Sequence, residues 1–163
     1  MTTLADVTPE QLRAFVSHEA RLLDEQRLEE WNALFAPGGW YWLPASPACT
    51  DPLREASHLY DDDLLRRVKI ARLVHPAAHS QQPRGRCHRL LQESDVLQRD
   101  ATGNRFELRT PFIYTELRAS RTVMLPGVAW HQLVVHQGAL RIALKRVDLL
   151  HADEALPAIE FYV

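Results

Sequence analysis

The spacing of hydrophobic positions changes once along the chain, from a helical period in the first half to alternation in the second. Apolar residues recur at intervals of three and four over residues 12–23, which predicts an amphipathic helix. Thr8, followed by Pro9 and by a glutamine three positions on, is the signature of a capping box at its start. The pattern predicts a first helix that starts at Pro9, with Asp24 either ending it or capping the next helix.

A second apolar stripe at 28–35 predicts another helix. The segment 36–39 holds Pro37 and two glycines and should end that helix, because proline cannot continue the hydrogen-bond ladder and glycine permits the turn. The aromatic run at 40–43 then predicts a strand, and 56–60 predicts a short one.

Three consecutive aspartates at 61–63 predict the start of a third helix, because carboxylates are favourable at the positive end of a helix dipole. Leu64, Leu65 and Val68 are expected to form its inner face. A polar loop with two prolines follows at 75–85.

The second half of the chain reads as strands. One broken strand is predicted at 86–99, a turn at 100–104 and a half-buried antiparallel strand at 106–115. Pro111 lies inside that strand and indicates a bulge or an edge position. Residues 129–136 are apolar on both faces, which predicts a strand that is central or covered by a partner.

The last third of the chain predicts a hairpin and a bulge. Gln137 and Gly138 have the composition of a two-residue turn, and the inward parity switches between Leu144 and Val147, which is typical of a β-bulge. A final strand is predicted at 159–163, whereas 119–127 has no predicted pairing. Helices followed by long strands predict an α+β fold with the helices on one face of a curved sheet, in a single domain over 1–163.

Composition excludes several classes of function. The net charge of −2 gives no long-range field to attract nucleic acid or an anionic membrane, and no apolar run approaches the about 20 residues of a membrane span. The first residues lack the basic start and apolar block of a signal peptide. Two cysteines, Cys49 and Cys87, favour free thiols in a reducing compartment. We therefore expect a cytoplasmic protein.

Candidate chemistry is sparse, and each candidate has a structural alternative. His75 and His79 have the spacing of a metal pair on a helix, but Pro76 favours a loop. His88 and Asp24 could form an acid–base pair inside a cone-shaped sheet, or His88 could be hydrogen-bonded at a subunit contact. No cofactor-binding or metal-ligating set is predicted.

Other residues point to structure more than to chemistry. Glu19 interrupts the first apolar stripe. The favoured interpretation places it at the edge of the stripe or in contact with an arginine, and the alternative is a carboxylate that faces a cavity. Cys87 is expected to be a small buried or interface residue. No chemistry is assigned to the three histidines His131, His136 and His151. Three tryptophans are expected in the core or an interface, namely Trp31, Trp40 and Trp42. All but two of the 19 basic residues are arginines, which suits either an arginine-rich interface or a GC-rich genome.

Several segments together resemble the beta (small) subunit of aromatic-ring-hydroxylating dioxygenases. In chain order they are EARLLD (19–24) leading to Trp31, WYWLP (40–44), DPLRE (51–55) leading to LYDD (59–62), LRRV (65–68), QP (82–83) before RCHR (86–89), and LRIALKRVDL (140–149). The order and spacing of the segments carry the resemblance, which covers most of the chain. Residues 119–127 and Cys87 depart from it.

The resemblance implies an NTF2-like (cystatin-like) cone, in which N-terminal helices pack on a strongly curved antiparallel or mixed sheet. It also implies a mainly structural subunit, trimeric within an α3β3 complex, that supports an alpha subunit hydroxylating an aromatic substrate of the benzoate type. The alpha subunit would carry the Rieske [2Fe–2S] cluster and the mononuclear iron, and a reductase or ferredoxin would be an indirect partner. No catalytic, cofactor or metal residue is then expected in this chain.

An enzyme on the same fold is the alternative. A free-standing dehydratase or isomerase would use the cone as a pocket, with His88 and Asp24 as its acid–base pair. Its signature would be an open cavity with a titrating histidine inside. A pure ligand-binding module is a third interpretation.

Overall fold

The computed structural model describes residues 7–76, 85–100, 102, 104–159 and 161–163, with the backbone alone at 98 and 99. These residues form three helices and seven strands. The helices are α1 (Pro9–Asp24), α2 (Leu28–Asn32) and α3 (Asp63–Val74). The strands are β1 (Phe35–Pro44), β2 (Ser57–Asp61), β3 (Arg86–Leu91), β4 (Asp95–Arg99), β5 (Arg105–Arg118), β6 (Arg121–His136) and β7 (Ala139–Leu149).

The strands form one mixed sheet in the order β2-β1-β7-β6-β5-β3, with β4 paired to β5 beyond the end of β3. All pairs are antiparallel except β1 and β7, which run parallel. The predicted α+β arrangement is confirmed, and 129–136 is confirmed as part of a central strand, β6.

The core lies between the inner face of the sheet and the buried stripe of α1. On β5, inward residues alternate with outward ones, as the period of a strand requires. Phe106, Leu108 and Phe112 from β5 share this core with Leu12 and Val16 of α1. The sheet and the helix thereby enclose the interior in which the candidate site lies.

Two local predictions are confirmed in detail, and a third is confirmed except for its position. The Thr8 Oγ1 accepts from the Gln11 N–H at 3.3 Å, and the Gln11 Oε1 accepts from the Thr8 N–H at 2.8 Å, which completes the capping box. Gln137 and Gly138 both have positive φ, 51° and 77°, as a type I′ hairpin turn requires. The register between β6 and β7 shifts between Gln132 and Leu133, so β7 does contain a bulge, but it lies at Ala143, before Leu144 and not after it as the parity predicted.

The predicted end of the second helix is wrong. Helix α2 ends at Asn32, and β1 already begins at Phe35. The Ile142 N–H donates to the Leu34 carbonyl at 2.9 Å, so β7 pairs with residues that the pattern assigned to the helix. The predicted turn at 36–39 is an irregularity inside β1, where Gly38 has a φ of 73°.

The predicted inner face of α3 is also wrong. Leu64, Leu65 and Val68 are exposed, whereas Arg66 and Ile70 are buried. The helix is capped by Asp62, whose Oδ1 accepts from the Leu65 N–H at 2.9 Å. The burial of Arg66 sets the orientation of the helix, because its guanidinium has acceptors on the sheet side, described below.

Pro111 marks neither a bulge nor an edge. Strand β5 pairs with β6 without interruption through Pro111 and Val128. On its other side Pro111 lies at the gap between β3 and β4, where its carbonyl accepts from the Gln92 N–H at 2.9 Å. The missing N–H of proline breaks no ladder there. The broken strand predicted at 86–99 is confirmed as β3 and β4.

The final strand predicted at 159–163 is not found at residues 159 and 161–163, the part of this segment that the structure describes. Residues 161–163 are irregular but buried, and side chains of other elements hold their main chain. Residues 119–127 are split between a turn, with Ala119 and Ser120 at positive φ, and the start of β6. The loop predicted at 75–85, including His79 of the histidine pair, lies mostly outside the described residues.

Candidate functional site

A buried polar cluster lies at the centre of the interior. The Lys145 Nζ is 2.7 Å from the Glu19 Oε1, and the Trp31 indole N–H donates to the same oxygen at 2.6 Å. The His131 Nε2 lies 3.4 Å from the other carboxylate oxygen of Glu19. The charged side chains are at most 3 % exposed, so this ion pair is closed off from solvent.

Four elements bring the cluster together. Glu19 lies on the buried stripe of α1 and Trp31 on α2, while His131 and Lys145 are cross-strand neighbours on β6 and β7. The pattern favoured a position at the stripe edge or a contact with an arginine for Glu19. That expectation is wrong, because Glu19 is buried and its cationic partner is Lys145. A signal for Lys145 did exist, because it has the same inward parity as Val147, and a lysine at an inward position needs a partner.

The pKa shifts of the cluster follow from burial and pairing. Burial, the largest influence, would raise the pKa of Glu19, but Lys145 and His131 outweigh it and hold that pKa well below its usual range. Burial lowers the pKa of Lys145, and Glu19 offsets only part of this effect. Burial likewise lowers the pKa of His131. The geometry is that of an ionised Glu19–Lys145 pair beside a neutral imidazole.

The space beside the cluster is small. The cavity bordered by Glu19, His131 and Lys145 has a volume of about 10 Å³, room for about one water molecule. The His131 Nδ1 and the Nε of Arg89, which also borders this cavity, are buried without a hydrogen-bond partner. Among the described residues, the space beside the Glu19–Lys145 pair is therefore filled by side chains, in contrast to the open pocket that the enzyme alternative requires.

His88 and Asp24 do approach each other, but outside the interior. The His88 Nδ1 is 3.5 Å from the Asp24 Oδ2, and the His88 side chain is 78 % exposed. The Asp24 carboxylate is held by Arg89, through the guanidinium at 2.5 Å and the backbone N–H at 3.1 Å. The pair thus lies at the surface next to a buried arginine, and an acid–base role for it stays a prediction.

The remaining predicted residues have structural surroundings. Trp31 is fully buried and Trp42 nearly so, while Trp40 stacks on Tyr60 with ring centroids 4.0 Å apart on the outer face of the sheet. Cys87 is half-buried, and burial raises the pKa of its thiol. His131, to which the pattern assigned no chemistry, is the histidine that lies in the interior among those the structure describes.

The described residues do not offer a set of donors for a metal ion. No group of three or more His, Cys, Asp or Glu side chains in this part of the chain is arranged to hold one. Glu19 and His131 come nearest, but the ammonium of Lys145 takes the position that a cation would need. Among the described helices, none has both the length and the apolar character to span a bilayer.

Comparison with known protein families and sequences gives a consistent result. A family model described as "Ring hydroxylating beta subunit" matches residues 18–153. The small oxygenase component of the p-cumate 2,3-dioxygenase system of Pseudomonas putida is 29 % identical over 151 residues, which cover 89 % of this chain and 81 % of the relative. The small subunit of 2-halobenzoate 1,2-dioxygenase of Burkholderia cepacia is 26 % identical, over 85 % and 88 % of the two chains.

Solved structures agree on the fold. The beta subunit of benzoate 1,2-dioxygenase from Burkholderia mallei ATCC 23344 superposes with a TM-score of 0.70 at 18 % identity, covering 96 % of this chain and 99 % of that one. The beta subunit of a dioxygenase from Novosphingobium aromaticivorans DSM 12444 gives a TM-score of 0.73 at 14 % identity, over 93 % and 92 % of the chains. The predicted cone of helices on a curved mixed sheet is confirmed.

Proposed function

The chain belongs to the ring-hydroxylating beta subunit family, and on that premise we propose that it is a structural subunit of an aromatic-ring-hydroxylating dioxygenase, with the reaction carried out on an alpha subunit. Its relatives are small subunits of such dioxygenases, and its fold is the NTF2-like cone. The redox chemistry would then lie on the companion chain, which would carry the Rieske cluster and the mononuclear iron.

The observation that carries this proposal is the closed interior. In the NTF2-like enzyme alternative, the cone must admit a substrate to an acid–base pair. Here the centre of the cone holds the Glu19–Lys145 ion pair, and the space beside it has room for about one water molecule. Charges in such a place hold the elements of the fold together, because each is neutralised by a group from another element.

The outer face of the sheet supports a subunit role. Leu90 is opposite Ile113, Ile113 is opposite Pro126, and the Leu150 N–H donates to the Pro126 carbonyl, so these four residues form an apolar row across neighbouring strands. Leu90 and Leu150 are 66 % and 70 % exposed. Contiguous apolar surface of this kind is typical of a face that is covered in an assembly.

The proposal extends to the assembly and its setting. Residues 1–163 would be a single domain in a cytoplasmic α3β3 complex, with the beta subunits as a trimer and a ferredoxin or reductase as an indirect electron donor. Nucleic acid and membranes would not be partners. The substrate of the alpha subunit would be an aromatic compound of the benzoate type, which agrees with the halobenzoate and p-cumate systems of the relatives.

Co-expression with the companion large subunit tests this proposal. We expect the two chains to co-elute in gel filtration as one complex, with an interface of roughly 2,000 Å² or more per pair. Iron and ring hydroxylation should be found with the complex and not with the purified small chain. A monomeric small chain that never joins the large one contradicts the proposal. So does a reaction of the isolated chain that is lost in His88→Ala, which would favour the enzyme alternative.

A further inference from the structure

Residues 161–163 enter the cone without belonging to a helix or strand. Phe161, Tyr162 and Val163 are 4 %, 3 % and 1 % exposed. The Tyr41 hydroxyl donates to the Val163 carbonyl at 2.9 Å, and the Arg89 guanidinium donates to the Tyr162 carbonyl. Side chains therefore hold this segment, in the way that a protein holds a bound ligand.

The Tyr162 ring lies in an aromatic enclosure with a polar end. Its centroid is 4.6 Å from that of Trp31 and 4.9 Å from that of Tyr41, the latter in an edge-to-face arrangement. Its hydroxyl donates to the Asp61 Oδ2 at 2.9 Å, and Lys69 fixes that carboxylate at 2.6 Å. The enclosure thus recognises both the ring and the phenolic hydroxyl.

The other end of the segment borders polar atoms that have no partner. Val163 lines the cavity of about 10 Å³ together with Arg89 and His131. The Arg89 Nε and the His131 Nδ1 are buried without a hydrogen bond, in residues that are 7 % and 1 % exposed. Buried polar atoms are nearly always paired, so this end of the space suits an occupant that carries a hydrogen-bond acceptor, as the carbonyls of Tyr162 and Val163 do.

We propose that the interior of the cone is a binding site for a phenol that carries a carbonyl or carboxylate group, and that the chain's own residues 161–163 occupy it as a tethered ligand. The phenol follows from the Trp31 and Tyr41 rings and the Asp61 acceptor. The carbonyl or carboxylate group follows from the donors Arg89 and Tyr41. This inference is independent of the assembly with a large subunit.

The test uses the full chain with Tyr162→Ala, which empties the ring position and leaves the main chain in place. The probe is p-cresol, which has the shape of a tyrosine side chain, and the reference is toluene, which lacks the hydroxyl. We expect saturating p-cresol to raise the unfolding midpoint of Tyr162→Ala by about 5 °C and toluene by less than half as much, because ligand binding to the folded state stabilises it. The intact chain should not respond.

Tyr114→Ala is the matched control. Tyr114 is also a buried tyrosine whose hydroxyl donates to a carboxylate, that of Glu116 at 2.6 Å, but it belongs to a strand of the sheet. We expect its unfolding midpoint to change by less than about 1 °C with p-cresol. An equal rise in both variants would show a response of any new cavity and would overturn the proposal.

The remaining outcomes also test the proposal. Equal effects of p-cresol and toluene would remove the role of Asp61 and overturn the proposed ligand class. If Tyr162→Ala is unfolded by far-ultraviolet circular dichroism, p-cresol must restore the folded signal. A variant that stays unfolded at saturating p-cresol, or a folded variant that does not respond to it, contradicts the proposal.

Discussion

Lys145 lies on a strand position that turns its side chain into the protein interior, so its charge must be compensated there. Glu19 does this from α1 at 2.7 Å. Removing one member of a buried pair leaves the other charge desolvated and unpaired, which costs much more than the pair itself contributes. The two residues therefore join α1 to β7 as a unit.

We expect Lys145→Met to lower the free energy of unfolding by about 3–5 kcal/mol, because the Glu19 carboxylate is then buried without its cation. Glu19→Leu should have a similar effect through the unpaired ammonium. Urea denaturation of both single variants and of the double variant measures this. The loss in the double variant should be clearly smaller than the sum of the single losses, and simple additivity would contradict the coupling.

The stability of the chain should also depend on His131. Burial, with a contribution from Lys145, lowers the pKa of this imidazole below the ordinary 6.5, and Glu19 offsets this only in part. The unfolded chain therefore binds the proton first as the pH falls, and stability present above pH 6.5 is lost below it. We expect the slope to reach at most about 1.4 kcal/mol per pH unit.

Denaturation midpoints at about pH 7.5 and about pH 5.5 test this dependence. His131→Gln should reduce the loss of stability between the two pH values, because glutamine does not titrate. The acid limb at lower pH, which comes from Glu19 with its lowered pKa, should remain in this variant. An unchanged slope in His131→Gln would rule out a contribution of the buried imidazole.

The sequence pattern drew attention to Glu19 but did not identify the residues that surround it. Glu19 on an apolar stripe showed that a buried carboxylate was conceivable, but nothing in the spacing named its partner, 126 positions away. His131 looked unremarkable because its surroundings come from α1 and β7 and not from its own strand. Pairs of distant residues depend on how the sheet and helix pack, and periodicity does not report packing.

At the scale of elements, α3 shows how one polar side chain sets the orientation of a helix. Arg66 is buried, and its guanidinium donates to the Asn32 Oδ1 at 2.7 Å and to the carbonyls of Gly39 and Asp61 at 2.8 and 3.0 Å. It also lies 3.8 Å above the centre of the Phe35 ring. One residue thus joins α3 to α2, β1 and β2.

Arg66→Met should lower the free energy of unfolding by about 2–4 kcal/mol, because two buried carbonyls and the half-buried Asn32 Oδ1 lose their donor. Arg66→Lys should recover only part of the loss, since a single ammonium cannot match the planar fork. Arg67→Met is the control on the same helix, because Arg67 is 70 % exposed, and it should change stability little. Equal losses in Arg66→Met and Arg67→Met, measured by chemical denaturation, would contradict the role of Arg66.

Local signals predicted elements well where the element depends on its own residues. The capping box of Thr8, the hairpin at Gln137 and the bulge of β7 all follow from short-range geometry and are confirmed, the bulge except for its position. The end of α2 and the inner face of α3 were missed, because β7 and the acceptors of Arg66 override helical propensity. The segment 159–163 has strand composition, but its residues 161–163 are buried through side-chain contacts instead.

At the scale of the whole molecule, the family resemblance and the order of elements gave the fold, whereas the composition did not. Helices followed by strands predicted the α+β class, and the resemblance added the cone. Neither source could show that the interior is closed, because closure depends on the distant contacts of Arg89, Tyr41 and residues 161–163.

The exposed apolar face of the sheet leads to a prediction about assembly. Met124 belongs to this face and is 60 % exposed. We expect Met124→Asp to reduce the recovery of the complex with the large subunit several-fold, because a charge at the centre of an interface is disfavoured. The unfolding midpoint of the isolated chain should stay unchanged.

Leu53→Asp is the matched control for that experiment, because Leu53 is 84 % exposed in the loop between β1 and β2. It should leave the amount of complex unchanged in the same pull-down. If both variants assemble like the parent chain, the outer face of the sheet is not part of the contact.

The parallel pairing of β1 with β7 has a consequence for biosynthesis. Phe35 pairs with Ile142, so β1, which can pair early with β2, leaves the ribosome about a hundred residues before its second neighbour exists. Strands β5, β6 and β7, by contrast, are joined by tight hairpins and can pair as soon as they emerge. We therefore expect the later half of the sheet to form first and to serve as the template on which β1 docks.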